Sequence, residues 1–257
     1  KMNINNFNIS YEPWPHIVFE NFLNNQQCEA IIKEILNQPK YDDKVMVNRN
    51  RIFKGSKNFD NILSKSPNMK NIYEYLNKFK TFNVLNNLFD HSKIQWKLNE
   101  KIFSFSDNYS GKQKDDLFEN LIKFLSNKKL IKTTMNLDID FSVSGEGYAR
   151  SAHRDRETRV LNFLIYLNEF NKEDGGLFEL YDNNYLDFDF QDQYPRFPEI
   201  KKLVVKKSIL PKVGKMIVFL STPNSYHAAS QFLSKSKKRI FIYGSYSLNK
   251  KTIWSKL

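Results

Sequence analysis

The spacing of apolar residues indicates helices in the first half of the chain. In residues 24–39, NNQQCEAIIKEILNQP, apolar residues recur at helical spacing between an asparagine cap and a proline. The same period over residues 69–90 and 114–129 predicts two further helices. Ahead of and between them, residues 17–19 predict a short strand, and the polar, basic stretch 41–58 predicts a loop or an irregular strand.

The pattern changes to that of β-strands near residue 133. Residues 135–144, MNLDIDFSVS, alternate apolar and polar positions, and residues 160–170, VLNFLIYLNEF, are almost continuously apolar, as in a buried central strand. Further strands are predicted at 175–182, 215–222 and 239–248. Helices followed by many short strands predict an α+β, mainly β fold, a double-stranded β-helix (jelly roll) with an N-terminal helical buttress.

Nothing in the composition divides the chain, so a single domain over residues 1–257 is predicted, with no linker rich in Gly, Ser or Pro. Its helical region would cover about residues 1–132 and its jelly-roll core about residues 133–249. Residues 183–210 interrupt the series of strands and begin with an acidic, aromatic part. We interpret them as an insertion or lid, with a plain surface extension as the alternative.

Composition excludes several classes of protein. Apolar residues make up 40% of the chain and aromatic residues 15%, which is enough for a packed core and argues against disorder. The lone cysteine, Cys28, excludes an internal disulfide framework and a cysteine-cluster zinc site, and we expect it to lie in the core. No signal peptide and no run of 18 apolar residues is evident, so the default expectation is a cytoplasmic protein without a membrane span.

The net charge of +12 comes mostly from lysines scattered among asparagines, and it is only a weak indication of a nucleic-acid partner. Arginine is distributed differently. The chain has eight arginines against 32 lysines, and four of the eight fall between residues 150 and 159. That local cluster carries more information than the overall charge.

A possible metal site lies inside this cluster, in the sequence SAHRDRETRV (residues 151–160). His153 and Asp155 are two residues apart, so on an extended turn their side chains point the same way. His227 follows a predicted strand, and two imidazoles with one carboxylate suit one face of a divalent iron. By itself, the His-x-Asp pair is equally compatible with a hydrogen-bonded surface turn. His16 and His91 are expected to be ordinary packing or surface residues.

Five segments in order resemble the iron- and 2-oxoglutarate-dependent oxygenases, in particular their prolyl-4-hydroxylase-like branch. They are GYARSAHRD, RVLNFLIYLNE, DGGLFELYD, PKVGKMIVFLSTPNSYHAAS and KRIFIYGSYS, and together they cover about residues 133–249. The resemblance implies that His153, Asp155 and His227 are the catalytic ligands of Fe(II). It also implies that Arg239 and Tyr166 bind the far carboxylate of the cosubstrate 2-oxoglutarate. The reaction would consume O2 and release succinate and CO2, with ascorbate as a possible additional cofactor.

Alternation along the strands predicts further residues of the cosubstrate pocket. Two positions also depart from the family pattern. Asn162 and Leu164 share a strand face with Tyr166 and are predicted to line the cosubstrate pocket. Arg239 comes twelve residues after His227, a wider spacing than is common in the family, and Lys238 is the alternative cation. Strand parity places Lys238 on the opposite face. Phe141 stands where some relatives have a hydroxylated ring, so part of the cosubstrate grip is expected to differ.

The loop that carries two metal ligands must border the substrate opening. We therefore expect Tyr148, Arg150, Arg154 and Arg156 to contact a substrate, and the arginines favour an acidic one. A small molecule, a glycan and a protein segment are all open, as is the oligomeric state. Solvated surface charge is the alternative for these arginines, a core position is the alternative for Tyr148, and Arg159 is expected to belong to the strand that follows.

Two other functions compete with this hydroxylase. A nucleic-acid demethylase of the same superfamily would usually have another arginine six residues after Arg239, where this chain has Ser245, so a nucleic-acid partner is disfavoured. A non-catalytic, basic jelly-roll binding module would bind no iron and form no succinate. A cupin-type His-x-His pair and the His-Glu-x-x-His pattern of zinc proteases are both absent from the sequence.

Overall fold

The architecture described below is that of a computed structural model of the chain. It describes residues 2–38, 43–46, 49–99, 104–106, 133–185, 188, 191–252 and 254–257, with only the backbone at 43–46 and 192. Four α-helices lie in its N-terminal part: α1 (Asn25–Leu36), α2 (Phe59–Lys65), α3 (Pro67–Leu76) and α4 (Phe79–Asn86). Short 3₁₀ turns occur at His91–Lys93, Lys172–Asp174, Gln191–Gln193 and Ile200–Lys202.

Strands dominate the rest of the described chain. They are β1 (Phe7–Ser10), β2 (His16–Phe19), β3 (Asp43–Met46), β4 (Arg49–Phe53), β5 (Trp96–Leu98), β6 (Ser104–Phe105), β7 (Thr134–Ser144), β8 (Arg150–His153), β9 (Arg159–Tyr166), β10 (Phe178–Asn183), β11 (Leu203–Ile209), β12 (Met216–Leu220), β13 (His227–Ala229), β14 (Arg239–Leu248) and β15 (Trp254–Lys256).

These strands form two main sheets. The larger has the order β1-β2-β12-β9-β14-β7-β4-β3, with β6 parallel to β7 at its side. The smaller has the order β11-β10-β13-β8, and β5 pairs with β15 separately. Apart from the consecutive pairs β1-β2, β3-β4, β6-β7 and β10-β11, strands that are neighbours in each main sheet are not consecutive in sequence, as the crossovers of a jelly roll require. The predicted fold class is confirmed by this topology together with the structural similarities reported below.

The two faces of the large sheet pack into different cores. On β9, Leu161, Phe163 and Ile165 lie in the core shared with the helices, whereas Leu164 and Tyr166 lie in a second core inside the jelly roll. Antiparallel partners share a face, so the register of β14 against β9 puts Tyr243 beside Leu164 on the inner side. The helices thus cover the outer face, and the inner face lines the interior of the jelly roll, which is available for a functional site.

The helical layer differs from the pattern in detail. Helix α1 agrees with the prediction, and Asn24 caps it through a reciprocal pair of hydrogen bonds with Gln27, 2.9 and 3.0 Å long. The predicted helix 69–90 is instead two helices, α3 and α4, because the backbone of Asn77 leaves the helical region (ψ 45°). Helix α2 was not predicted, and its seven residues give too short a periodic pattern to detect. The predicted helix 114–129 lies outside the described residues.

Two further expectations concern the loops and the membrane. The stretch 41–58, predicted as a loop or irregular strand, supplies β3 and β4 at the edge of the large sheet. Residues 203–209, at the end of the predicted insertion, form β11 against β10. Within the described residues, no helix has both the length and the apolar character that a membrane crossing requires.

Candidate metal and cosubstrate site

The smaller sheet brings His153, Asp155 and His227 together. His153 ends β8 and His227 begins β13, and these two residues are directly paired, with their ring centroids 4.5 Å apart. Asp155 follows two residues later, with carboxylate oxygens 3.9 Å from Nε2 of His153 and 3.5 Å from Nε2 of His227. All three side chains are buried, and their donor atoms lie within 4.8 Å of one another. Neither His16 nor His91 joins this group.

Backbone carbonyls fix which ring nitrogen of each histidine faces the centre. Nδ1 of His153 donates to the carbonyl of Ser151 at 2.8 Å, and Nδ1 of His227 donates to the carbonyl of Ser225 at 3.0 Å. Each Nε2 therefore presents its lone pair toward Asp155, the arrangement that a metal ligand needs. Burial, with the neighbouring His227, lowers the pKa of His153 to about 3, and burial also lowers the pKa of His227. Both rings are thus neutral at physiological pH, as metal ligation requires.

Asp155 is held from behind by Tyr243 and Arg159. The Tyr243 hydroxyl lies 3.1 Å from each carboxylate oxygen, and Arg159 pairs with the same carboxylate and donates to the Tyr243 oxygen. Burial is the largest single effect and opposes ionisation of Asp155, but Arg159, the two histidines and the Tyr243 hydrogen bond together outweigh it and keep the pKa of Asp155 below its ordinary value. The carboxylate is therefore ionised and oriented before any metal binds.

This support predicts a metal-affinity effect for Tyr243→Phe. Loss of a hydrogen bond to a metal-binding carboxylate typically weakens metal affinity roughly 10- to 100-fold, and we expect a decrease of that order for Fe(II), measured by competition with a chelator. Tyr246→Phe is the matched control, because Tyr246 lies on the outer face of the same strand and donates to the Leu76 carbonyl at 2.7 Å. It should lower thermal stability but not Fe(II) affinity. Equal affinities in Tyr243→Phe and wild type would contradict the assignment.

A second group of polar side chains lies deeper in the jelly roll, around Arg239. Its guanidinium is 3.5 Å from the Tyr166 hydroxyl and lies over the rings of Phe241 and Tyr148, with centroid distances of 4.2 and 5.3 Å. Arg239 is 1% exposed, yet its Nε and Nη1 have no hydrogen-bond partner among the described residues. The side-chain amide nitrogen and oxygen of Asn162, which is also buried, likewise have no hydrogen-bond partner among the described residues.

Unpartnered buried polar atoms are rare because each one costs free energy unless a ligand satisfies it. A buried guanidinium with two free donors suits a carboxylate, which accepts bidentate hydrogen bonds from arginine. A compound with a second carboxylate would satisfy Arg239 while its other end reaches the metal ligands. The donor set therefore fits 2-oxoglutarate, and Tyr148 lies beside that pocket.

Gly176 explains how Arg239 can reach this position. Its φ of +69° is readily adopted only by glycine, and a Cβ there would lie 3.2 Å from the Phe232 ring and 3.3 Å from Cδ of Arg239. The Gly-Gly sequence at 175–176 thus leaves room for the arginine side chain.

The four predicted substrate residues occupy different environments. Tyr148 is buried beside Arg239, as described above. Arg150 approaches the metal centre, with Nε 3.5 Å from Nε2 of His153. Arg154 is buried, donates from Nε to the Tyr194 carbonyl at 2.9 Å and pairs with Glu157 at 3.3 Å. Only Arg156 is an exposed side chain of the metal-binding loop.

Strand β4 adds functional candidates that sequence reasoning missed. Arg49 binds Asp140 at 2.7 Å and lies 5.2 Å from the Phe241 ring centroid, and Arg51 lies 3.8 Å from the same carboxylate. The pairing of β4 with β7, which no local pattern reveals, brings them to the inner face. Phe141, the predicted departure in the cosubstrate grip, instead belongs to the outer core that faces the helices.

Comparisons with known proteins agree with this geometry. Residues 139–246 match the family model of the 2OG-Fe(II) oxygenase superfamily. A prolyl 3-hydroxylase, OGFOD1 of Xenopus laevis, is 28% identical over 152 residues, which cover 58% of this chain and 27% of that protein. The chain therefore matches about a quarter of that relative's length.

Solved structures show the same fold at low sequence identity. A prolyl 4-hydroxylase structure from Phytophthora capsici has a TM-score of 0.51 at 14% identity, covering 91% of this chain and 59% of that one. HygX of Streptomyces hygroscopicus, solved with nickel and 2-oxoglutarate bound, has a TM-score of 0.50 at 10% identity, with coverages of 90% and 82%.

Proposed function

We propose that this protein is a 2-oxoglutarate-dependent hydroxylase, because residues 139–246 match the family model of the 2OG-Fe(II) oxygenase superfamily. One observation carries the proposal: a buried His-Asp-His group faces the same interior as an arginine, two of whose donors have no hydrogen-bond partner among the described residues. His153, Asp155 and His227 would hold Fe(II), and Arg239, Tyr166 and Asn162 would hold 2-oxoglutarate. Once bound, iron and 2-oxoglutarate supply an O2-dependent hydroxylation that releases succinate and CO2.

The side chains of this protein bind and orient. Arg239 would take the far carboxylate of 2-oxoglutarate in a charge-assisted pair, and the Tyr166 hydroxyl lies close enough to contribute a second donor. Burial raises the pKa of Tyr166, so the hydroxyl keeps its proton and can donate. The aromatic rings of Phe178 and Phe219 pack against His227, with centroids 5.5 and 4.8 Å away, and exclude water behind the metal.

The substrate side of the site is the mouth next to Arg150 and Arg156. Arginines there favour an acidic substrate, whether a small molecule, a glycan or a protein segment. The names of the relatives add prolyl residues of proteins as one class to test. We expect ascorbate to sustain turnover by keeping the metal reduced.

Anaerobic titration of the protein with Fe(II) and 2-oxoglutarate tests this function. The bound chelate should give a weak visible charge-transfer band, and admission of O2 should produce succinate slowly even without substrate. Absence of both from a protein that is folded by circular dichroism and mixed anaerobically with an excess of Fe(II) and 2-oxoglutarate would exclude the hydroxylase. The non-catalytic binding module predicts that absence.

A further inference from the structure

The arginines of this chain, unlike its lysines, concentrate around the candidate site. Six of the eight have already been described: Arg239 in the cosubstrate pocket, Arg159 on Asp155, Arg49 and Arg51 on Asp140, Arg154 on Tyr194 and Glu157, and Arg150 beside His153. The other two are Arg156 and Arg196. Unlike the other six, these two arginines have no side-chain hydrogen-bond or ion-pair partner among the described residues.

Arg196 lies on a short segment, residues 194–197, that we call the strap. Three hydrogen bonds hold its backbone, two from the metal-binding loop and one from the residue that precedes His227. Arg154 donates from its backbone N–H to the Arg196 carbonyl at 3.0 Å and from Nε to the Tyr194 carbonyl at 2.9 Å, and the Tyr226 hydroxyl donates to the Pro195 carbonyl at 2.8 Å. Arg154 is therefore a positioning residue for the strap, and it fixes the backbone from which the Arg196 side chain extends.

The strap ends over the metal centre. The ring of Phe197 lies 6.5 Å from the ring of His153 at an interplanar angle of 25°, and the Phe197 side chain is 62% exposed. The guanidinium of Arg196 lies 5.0 Å from the Phe197 ring centroid. An exposed aromatic ring and an arginine thus stand together at the mouth, beside one of the metal ligands.

Most of the charges that act on Arg196 are positive. Burial, followed by the positive charge of Arg156, lowers the pKa of Arg196; Asp155 opposes this lowering, and Arg159 and Arg150 add to it. Its Nε is buried without a hydrogen-bond partner in the described part of the chain. Neither Arg156 nor Arg196 has a described carboxylate within 4.0 Å. Neighbouring guanidinium groups repel each other unless an anion lies between them.

We propose that Arg156 and Arg196 form a clamp that binds a carboxylate or phosphate group of the substrate next to the metal. The fork of guanidinium donors suits either anion. The cosubstrate is a poor candidate for this clamp, because the buried Arg239 already fits its far carboxylate. Phe197 supplies an apolar wall beside the anion. The inference rests on the proposed function, since it assigns a substrate class to that same site.

Fluorescence anisotropy with labelled peptides tests the clamp on the full chain, loaded anaerobically with Fe(II) and 2-oxoglutarate. Tetramethylrhodamine-labelled peptides would contain three glutamates, three phosphoserines or three serines, at constant ionic strength. We expect at least one acidic probe to bind more tightly than the serine probe. The Arg156→Gln/Arg196→Gln double variant should bind that acidic probe at least tenfold more weakly than the wild type does. The two acidic probes distinguish carboxylate from phosphate.

A charge-matched control separates the clamp from the general basicity of the protein. Lys33→Gln/Lys97→Gln removes the same charge from exposed positions on α1 and β5 and should change affinity less than twofold. Acidic probes that bind no better than the serine probe would overturn the clamp, as would equal weakening in both double variants. The iron–2-oxoglutarate band of the wild type is recorded in the same samples. If that band is present, either of these failures counts against the clamp alone.

Discussion

We expect His227→Ala to lose the charge-transfer band of the iron–2-oxoglutarate complex and to lower succinate formation by at least about 100-fold, the upper end of the loss seen when only a supporting partner is changed. The reason is geometric. His227 presents its Nε2 toward Asp155 from the strand opposite His153, and no other described histidine joins the group. Anaerobic absorption spectra and single-time-point succinate assays measure both effects.

Two companion variants make that result interpretable. His91→Ala removes an exposed imidazole whose one hydrogen bond within the described residues is to the Asn86 carbonyl, at 3.2 Å, and should leave both readouts unchanged. Because His227 packs against Phe219, alanine there also opens a cavity, so His227→Gln keeps most of the volume while removing the imidazole. Retention of wild-type turnover in a folded His227→Gln protein would contradict the metal assignment.

Arg239→Gln should raise the KM for 2-oxoglutarate by about 30- to 5,000-fold, which corresponds to the roughly 2–5 kcal/mol lost when one partner of a buried charged pair is truncated. The cosubstrate carboxylate would remain in a pocket walled by Phe241 and Tyr148 with no cation to pair with it. Initial rates of succinate formation over a wide range of 2-oxoglutarate concentrations give the KM directly.

The adjacent Lys238 provides the control for this prediction. Lys238→Gln removes an exposed cation from the neighbouring residue of the chain and should change the KM less than threefold. A larger effect at Lys238 than at Arg239 would mean that the cosubstrate is bound from the other face of β14. It would also mean that the unpartnered donors of Arg239 serve another ligand.

Most of the residues grouped from the sequence are those that local order brings together; His227 joins them from a distant strand, and the roles of all of them came from the resemblance to the oxygenase family. The His-x-Asp spacing and the alternation along two strands suffice to group His153 with Asp155 and Asn162 with Tyr166. Alternation also distinguishes Arg239 from Lys238, because neighbouring strand residues point to opposite faces. The register of β14 against β9 agrees, since Phe241, on the face of Arg239, pairs with Tyr166.

The residues that were missed depend on contacts between distant parts of the chain. Tyr243 reaches Asp155 across 88 positions, and Arg49 reaches Asp140 across 91. Neither contact produces a recognisable sequence pattern in the segments that contribute the two side chains. For Arg154, a distant contact also decides the outcome. Its position between the metal ligands in sequence predicts substrate contact, but its side chain is buried and donates to the Tyr194 carbonyl instead.

The carbonyls of Ser151 and Ser225 bear on which metal the protein will contain. They direct the two imidazoles whether or not an ion is bound, so loading requires little rearrangement and no folding step. Such a ready-made nitrogen and oxygen site binds nickel or copper more tightly than iron, following the general order of divalent affinities. Iron occupancy in the cell would then be governed by supply and exchange rather than by the protein's own preference. A preparation purified in air should accordingly be stripped and reloaded with Fe(II) before inactivity is taken as a property of the chain.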